Sequence, residues 1–283
     1  MTGKYDDRAM TGIRKGMACA ILGVTVLAPA CSVKENRFEC PVYVTVLTDQ
    51  FVLRGMNEGK VSFSSSHVID REDISFLSFL RDGYRQACPR EYARAAVFSG
   101  AENYTLVEEE MRVLPGRQAG LLWAYGETFS ANSDEYLIDA EPHKQYCLVQ
   151  FLFDDSPTAP SEYAWRFRIK AACSGMNIYT LEPLEGEYSC HVGPNAVGAW
   201  YGVIPRQKTN ELLLEVYLPD ADDELEGRTD YVIDLGRKFE ALGYDWTAED
   251  LRDVTVSVGF ASMGMTVDVQ EWEGDDSYKN IEI

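Results

Sequence analysis

The sequence lacks the short motifs that mark common enzyme and nucleotide-binding sites. It contains no G-x-S-x-G, H-E-x-x-H, P-loop or G-x-G-x-x-G pattern, so no catalytic serine, zinc protease site or phosphate cradle is indicated. Its histidines, His67, His143 and His191, are far apart along the chain. A catalytic triad requires only spatial proximity, but no nucleophile and base are indicated. We therefore predict no enzymatic activity and no cofactor, and we disfavour a secreted hydrolase.

Positive charge is also scarce. The chain has 26 Lys and Arg residues against 46 Asp and Glu residues, and its formal net charge is −20. A strongly acidic chain repels phosphate backbones, so we predict no nucleic-acid partner. Such a charge suits a soluble surface that contacts an aqueous exterior.

No apolar run is long enough to span a membrane comfortably. Arg14 and Lys15 precede the run GMACAILGVTVL, which is shorter than the roughly 20 apolar residues that a spanning helix needs. A basic region followed by a short apolar run is typical of a secretory signal peptide. We therefore predict a signal peptide over residues 1–30, with Met10 as a possible alternative start.

The end of this leader favours lipid attachment. Ala28, Pro29 and Ala30 directly precede Cys31, which resembles a bacterial lipobox, and a cysteine in that position can carry acyl chains. Each buried methylene contributes about 0.8 kcal/mol, so several chains hold a protein on a membrane without a spanning helix. We predict Cys31 as the lipid-attachment residue; the alternative is a plain signal peptide followed by an incidental cysteine.

The remaining cysteines do not form a recognisable metal or redox motif. None has the close spacing of a zinc or redox site, and an odd number cannot all pair within one chain. Two lie in apolar, strand-like runs and are predicted to be buried, whereas pairing among the other three stays open. The five are Cys40, Cys88, Cys147, Cys173 and Cys190. The acidic run at 220–224 lacks the glycine and glutamate of an EF-hand loop, so we predict no metal site.

Alternating polarity indicates a β-rich fold. In YAWRFRIKA, Trp165, Phe167 and Ile169 alternate with three cations, a period of two that places the apolar residues on one buried face. Many such short strands, separated by turns, predict an all-β fold of sandwiches. Further strands are predicted at 42–47, 93–100, 119–126, 145–153, 212–218, 253–260 and 265–272.

Helices are a minor part of the prediction. Residues 71–83 carry Ile74, Leu77 and Leu80 at helical spacing, and residues 235–243 form a second candidate that ends at Gly243. A polar segment at 131–144 separates the first strands from the later ones. It predicts two domains, 31–140 and 141–283, with 154–162 as a rival boundary.

The tryptophans leave a second function open. Trp123 and Trp165 lie within strand patterns and are predicted to pack in cores. Trp200 and Trp272 are candidates for exposed positions, where they would provide stacking platforms for sugars. A surface glycan-binding lipoprotein is therefore the alternative function.

Several segments together resemble a known family. The stretches CSVKENRFECP, DYVIDLGRKFEALGYDWTAEDLRDVTVSVGF and EWEGDDSYKNIEI are similar to the fimbrillin-associated anchor lipoproteins of Bacteroidota. The resemblance implies two transthyretin-like β-sandwich domains and a lipoprotein of the outer membrane. It also implies a role in type V fimbriae, as an anchor or accessory subunit in pilus assembly and cell adhesion, with pilin subunits as partners. One departure is Val42 after Pro41, where many members carry a second cysteine.

The end of the chain carries the predicted interaction site. Val267 and Val269 alternate with Asp268, and Ile281 and Ile283 flank Glu282. Such alternation lets a strand bury one face while it pairs along a sheet edge. Together with the resemblance, it predicts a strand that is offered to a neighbouring subunit; the alternative is that both segments are permanent strands of the second sandwich.

Overall fold

A computed structural model of the protein describes residues 40–65, 68–130, 132–154, 165–194, 199–222, 226–261 and 264–271. Within these ranges, strands predominate. The helices are α1, Asp49–Leu53, and α2, Leu235–Leu242, with a 3-10 helix at Phe76–Phe79. The strands are β1 Val42–Leu47, β2 Glu58–Ser64, β3 Ile69–Ser75, β4 Tyr84–Cys88, β5 Arg94–Ser99, β6 Tyr104–Val107, β7 Glu110–Val113, β8 Trp123–Thr128, β9 Glu135–Asp139, β10 His143–Lys144, β11 Tyr146–Asp154, β12 Arg166–Asn177, β13 Pro183–Pro194, β14 Trp200–Pro205, β15 Leu212–Pro219, β16 Gly227–Asp234, β17 Val254–Ala261 and β18 Gly264–Glu271.

The first half of the described chain forms a sandwich of two sheets. One sheet has the order β4-β1-β9, and the other has the order β10-β8-β5-β2-β3. Strand β1 is central in the first sheet, antiparallel to β4 and parallel to β9. Alternate residues of each strand face a shared core, as period two requires. That core includes Val42, Val44, Val46, Val61, Phe63, Val97 and Ile138.

The second half forms a larger sheet that folds around its own core. The strand order is β16-β15-β12-β13-β14-β11-β17-β18. Phe167 and Ile169 of β12 are fully buried, as predicted, and pack in one cluster with Val149, Val203 and Val256 from the β14-β11-β17 side. The sheet therefore closes on itself as a sandwich. The protein has an all-β sandwich fold, which confirms the predicted fold class.

Helix α2 confirms the second predicted helix. Its N-cap residue, Asp234, accepts a hydrogen bond from the Arg237 amide, and Gly243 ends it with φ of 70°. That left-handed conformation favours glycine, which has no Cβ to clash. Leu235 and Phe239 are fully buried in the second core, so the helix covers one side of the sandwich.

A third core joins the two halves. The β6–β7 hairpin extends the large sheet by pairing β7 with residues 175–177 of β12. Near the end of β12, Ile178 and Tyr179 are buried in a cluster with Phe98 of β5 and Ala124 of β8. The Tyr179 hydroxyl also lies 2.8 Å from Ser62 Oγ. Residues from both halves thus share this core, and the division near residue 140 stays a prediction.

The predicted helix at 71–83 is wrong. Its first residues belong to β3, which pairs with β2 along its length, and the 3-10 helix follows. Leu77 and Leu80, which suggested a helical stripe, are exposed. Asp70 and Glu72 instead accept hydrogen bonds from Tyr92 and Tyr84, each at 2.5 Å. Tertiary pairing therefore overrode the local helical spacing.

Candidate functional site at the β17–β18 edge

The predicted interaction segment is the last strand described. Among the described residues, β18 pairs with β17 alone, in an antiparallel ladder that runs from Val254 opposite Glu271 to Ala261 opposite Gly264. A strand at the end of a sheet presents a row of backbone N–H and C=O groups on its outer side. Such an edge is suited to accept or exchange a strand of another chain.

The ladder fixes which residues of β18 share a face. Val269 lies opposite Val256, and Val267 lies opposite Val258; both β17 valines are fully buried. Val269 is itself partly buried against the second core. The intervening Asp268 has a side chain that is 89% exposed, with its Oδ1 atom 3.6 Å from Lys238 Nζ of α2. One face of the edge strand thus contacts the core, and the other carries a charge into solvent.

Strand β17, which supports this edge, is itself firmly held. It runs parallel to β11, and the residue before it, Asp253, forms an ion pair with Lys144. The Lys144 Nζ and Asp253 Oδ1 atoms are 2.6 Å apart, and both side chains are 6% exposed. Asp253 also accepts a hydrogen bond of 2.7 Å from the Leu148 amide. A buried charge that loses its partner is strongly destabilising, so this pair fixes the start of β17.

A buried arginine fixes the loop that leads to β17. Arg206 is 8% exposed, and burial lowers the pKa of its guanidinium from the ordinary value. Its nitrogens donate to neutral oxygens that lie between 2.6 and 3.2 Å away. These acceptors are Gln145 Oε1 and the carbonyls of Lys144, Trp246, Ala248 and Glu249. Burying a charge in this way is tolerated only when its hydrogen bonds are made.

No sequence pattern indicates this supporting network. Lys144, Arg206 and Asp253 stand singly among unrelated residues, and only the fold brings their side chains together. The remaining predicted site residues, Cys31, Ile281 and Ile283, lie outside the described residues. The five cysteines that are described form no disulfide; Cys40 is exposed and the other four are buried.

The structure does not place Trp200 where it could provide a sugar platform. Trp200 is 7% exposed, and its ring centroid lies 5.5 Å from that of Phe153 and 6.3 Å from that of Phe167. Its ring therefore packs in the second core, whereas Trp272 lies outside the described residues. Across the described ranges, no three His, Cys, Asp or Glu residues are grouped as a metal site. No helix found within those ranges is long and apolar enough to cross a membrane.

Comparison with solved structures shows that this fold occurs in other proteins of Bacteroides. No protein-family model matches the chain, and no curated protein matches its sequence. A candidate adhesin from Bacteroides ovatus is 8% identical, with a TM-score of 0.54 over 84% of this chain and 97% of the other. A candidate polysaccharide-binding protein from Bacteroides thetaiotaomicron is 11% identical, with a TM-score of 0.51 over 83% of this chain and 99% of the other.

A fimbrial protein also has a similar structure. The fimbrial anchor protein Mfa2 from Porphyromonas gingivalis is 12% identical, with a TM-score of 0.49 over 82% of this chain and 98% of the other. At such low identities, structural likeness defines the fold rather than the activity. The two Bacteroides proteins therefore establish a shared all-β sandwich fold over most of both chains.

Proposed function

We propose that this chain is a non-enzymatic lipoprotein of the outer membrane that serves as an anchor or accessory subunit of type V fimbriae. The observation that carries the proposal is β18, an edge strand that directly precedes the C-terminal segment and pairs with β17 alone among the described strands. Main-chain hydrogen bonds along such an edge supply affinity, and alternating side chains supply register. Its partners are fimbrial pilin subunits.

Two further observations support this function. The first is the resemblance of the leader and the C-terminal segments to fimbrillin-associated anchor lipoproteins, including the lipobox that ends at Cys31. The second is a fold shared with a candidate adhesin from Bacteroides ovatus. Both favour a protein that acts by binding at the cell surface, although fold alone does not specify function.

The two ends of the chain take different roles in this proposal. The lipid on Cys31 holds the protein at the membrane, where it is exposed at the cell surface. The C-terminal segments, which carry Val267, Val269, Ile281 and Ile283, pair with a pilin strand. A chain terminus is the segment that is easiest to release and offer to a partner.

Deleting Tyr278 to Ile283 tests the pairing role. We expect the tagged deletion variant to keep its thermal unfolding temperature but to lose the pilins that co-purify with the full chain, as identified by mass spectrometry. The control is Val232→Ser on the edge strand β16, where Val232 is 58% exposed; it should leave pilin capture unchanged. Lost stability of the deletion variant, or undiminished capture, would contradict a donated C-terminal strand.

The lipid anchor has its own test. Cys31→Ala should release the protein from the membrane fraction, and it should abolish incorporation of radiolabelled palmitate, because lipid chains supply the membrane affinity. Ala30→Ser, which keeps the cysteine, serves as the control. A wild-type protein without label, or a Cys31→Ala variant that still sediments with membranes, would defeat the lipid assignment.

A further inference from the structure

One arginine side chain, Arg90, contacts the N-terminal end of β1. Arg90 lies in the turn between β4 and β5, and its side chain is 10% exposed. Its Nε atom donates to the Cys40 carbonyl at 2.9 Å, and Nη1 donates to the Ser133 carbonyl at 3.0 Å. Nη2 forms a charge-assisted hydrogen bond with Asp134 Oδ1. Such hydrogen bonds are about twice as strong as those between neutral groups.

These contacts join three strands of one sheet at the same end. Cys40 precedes β1, Ser133 and Asp134 precede β9, and Arg90 itself follows β4. Because β1 lies between β4 and β9, the guanidinium connects the central strand to the ends of both flanking strands. The Tyr43 amide adds a hydrogen bond of 2.9 Å to the Asp134 carbonyl.

We infer that Arg90 is a latch that keeps β1 in its sheet at the end from which a membrane tether arrives. Terminal strands fray from their outer end unless they are tied down. Here the outer end is tied across both flanking strands, while the other end of β1 continues into α1. The effect of Arg90 on β1 depends only on contacts within the described residues. Its role beside a membrane tether rests on the proposed function.

Arg85 provides a matched control on the same sheet. Its guanidinium lies 4.5 Å from the centroid of the Tyr43 ring of β1, and its Nη2 atom is 3.0 Å from Glu135 Oε1 of β9. The side chain is 53% exposed, and solvent weakens ion pairs of this kind. Arg85 therefore bridges the same strands across their exposed face without holding the segment before β1.

Hydrogen exchange measured by mass spectrometry on the full chain tests the latch. We expect Arg90→Ala to speed amide exchange in residues 42–47 by about tenfold or more, because three hydrogen bonds that join the ends of three strands are lost together. Exchange in β5 and β12 should be unchanged. Arg85→Ala should change exchange in residues 42–47 by less than about threefold. Equal acceleration in the two variants, or a uniform loss of protection in all strands, would overturn the inference.

A second variant keeps the test decisive if Arg90→Ala does not fold. Arg90→Lys retains the charge, but a single ammonium cannot reproduce the planar fork of a guanidinium. We expect an intermediate acceleration confined to residues 42–47, and no acceleration there would overturn the latch. The same measurement on Cys31→Ala protein should give the same result. Failure of pilin capture would therefore defeat the proposed function without affecting the latch.

Discussion

The first and last described strands have similar sequence patterns but different structural positions. Strand β1 is central, with a ladder on each side, and Val42, Val44 and Val46 are completely buried. Strand β18 has one ladder among the described residues, and Asp268 projects from it into solvent. The number of neighbouring strands among the described residues, rather than the alternation itself, therefore distinguishes a central strand from an edge strand.

The supports of the two strands differ as well. The N-terminal end of β1 is held by Arg90, whose hydrogen bonds reach the segment before the strand. On the C-terminal side, the buried Lys144–Asp253 pair holds β17 rather than β18. The fold therefore fixes the first described strand and the support of the last one. It leaves β18 as the outermost described element of its sheet.

The largest expected effect on the free energy of unfolding comes from a truncation in the second core, against which Val269 of β18 packs. Phe167 is completely buried, and Phe167→Ala should lower the free energy of unfolding by about 3–5 kcal/mol, because it leaves a large cavity. Urea denaturation measures this change. Leu137→Ala, at a side chain that is 62% exposed, should change stability by less than about 0.5 kcal/mol.

The same variant tests the predicted division near residue 140. If the two sandwiches unfold separately, hydrogen exchange in Phe167→Ala should accelerate in β17 and β18 before it accelerates in β1. Equal loss of protection in all three strands would contradict the division. In that case the shared core around Phe98 and Tyr179 makes the two halves one cooperative unit.

Loss of the buried ion pair should have a comparable or slightly smaller effect. Asp253→Ala removes the carboxylate that pairs with the buried Lys144 ammonium, so we expect the free energy of unfolding to fall by about 3–4 kcal/mol. Asp73→Ala is the control, because Asp73 pairs with Lys60 but is 80% exposed; its cost should be below about 1 kcal/mol. Similar costs for the two variants would show that the pair does not fix β17.

The positions of the strands are predictable from the sequence, but their arrangement side by side in the sheets is not. Residues 42–47 and 265–272 were both recognisable from period two, and Gly243 correctly marked the end of α2. Periodicity reports which residues share a face, but it does not reveal which strands lie side by side. The central position of β1 and the edge position of β18 depend on pairings distant in sequence, which local patterns do not encode.

Two differences between sequence and structure have the same physical origin. Residues 71–83 have helical spacing, yet β3 is stabilised by its ladder with β2 and by hydrogen bonds from Tyr84 and Tyr92. Trp200 is a candidate for exposure from its sequence, yet β14 places it against Phe167. The supporting network around Arg206 was also unpredictable, because its acceptors are mainly backbone carbonyls, which carry no sequence signal.

A matched pair of truncations measures how much side-chain packing stabilises β1 compared with β18. Val44→Ala in β1 should cost about 2 kcal/mol, because Val44 is fully buried. Val269→Ala in β18 should cost about 1 kcal/mol, because Val269 is only partly buried. Chemical denaturation of both variants gives the comparison. A cost at Val269 equal to that at Val44 would mean that β18 is bound as firmly as β1.

The smallest effect on stability is expected at Asp268, where the side chain is 89% exposed and lies 3.6 Å from Lys238. Asp268→Val should change the free energy of unfolding by less than about 0.5 kcal/mol, since exposed ion pairs contribute little. Charges on an edge strand nevertheless oppose pairing with other copies. We therefore expect the variant to self-associate more strongly in light scattering.

The corresponding change at β3 should behave differently. Asp73→Val also removes an exposed charge from an edge strand, but the exposed Asp70 and Glu72 remain on that strand and accept hydrogen bonds from Tyr92 and Tyr84. Charged side chains protect a sheet edge, so this variant should remain monomeric. Self-association of both variants would show that loss of charge alone is responsible. Association of Asp268→Val alone would identify β18 as the edge that is available for strand addition.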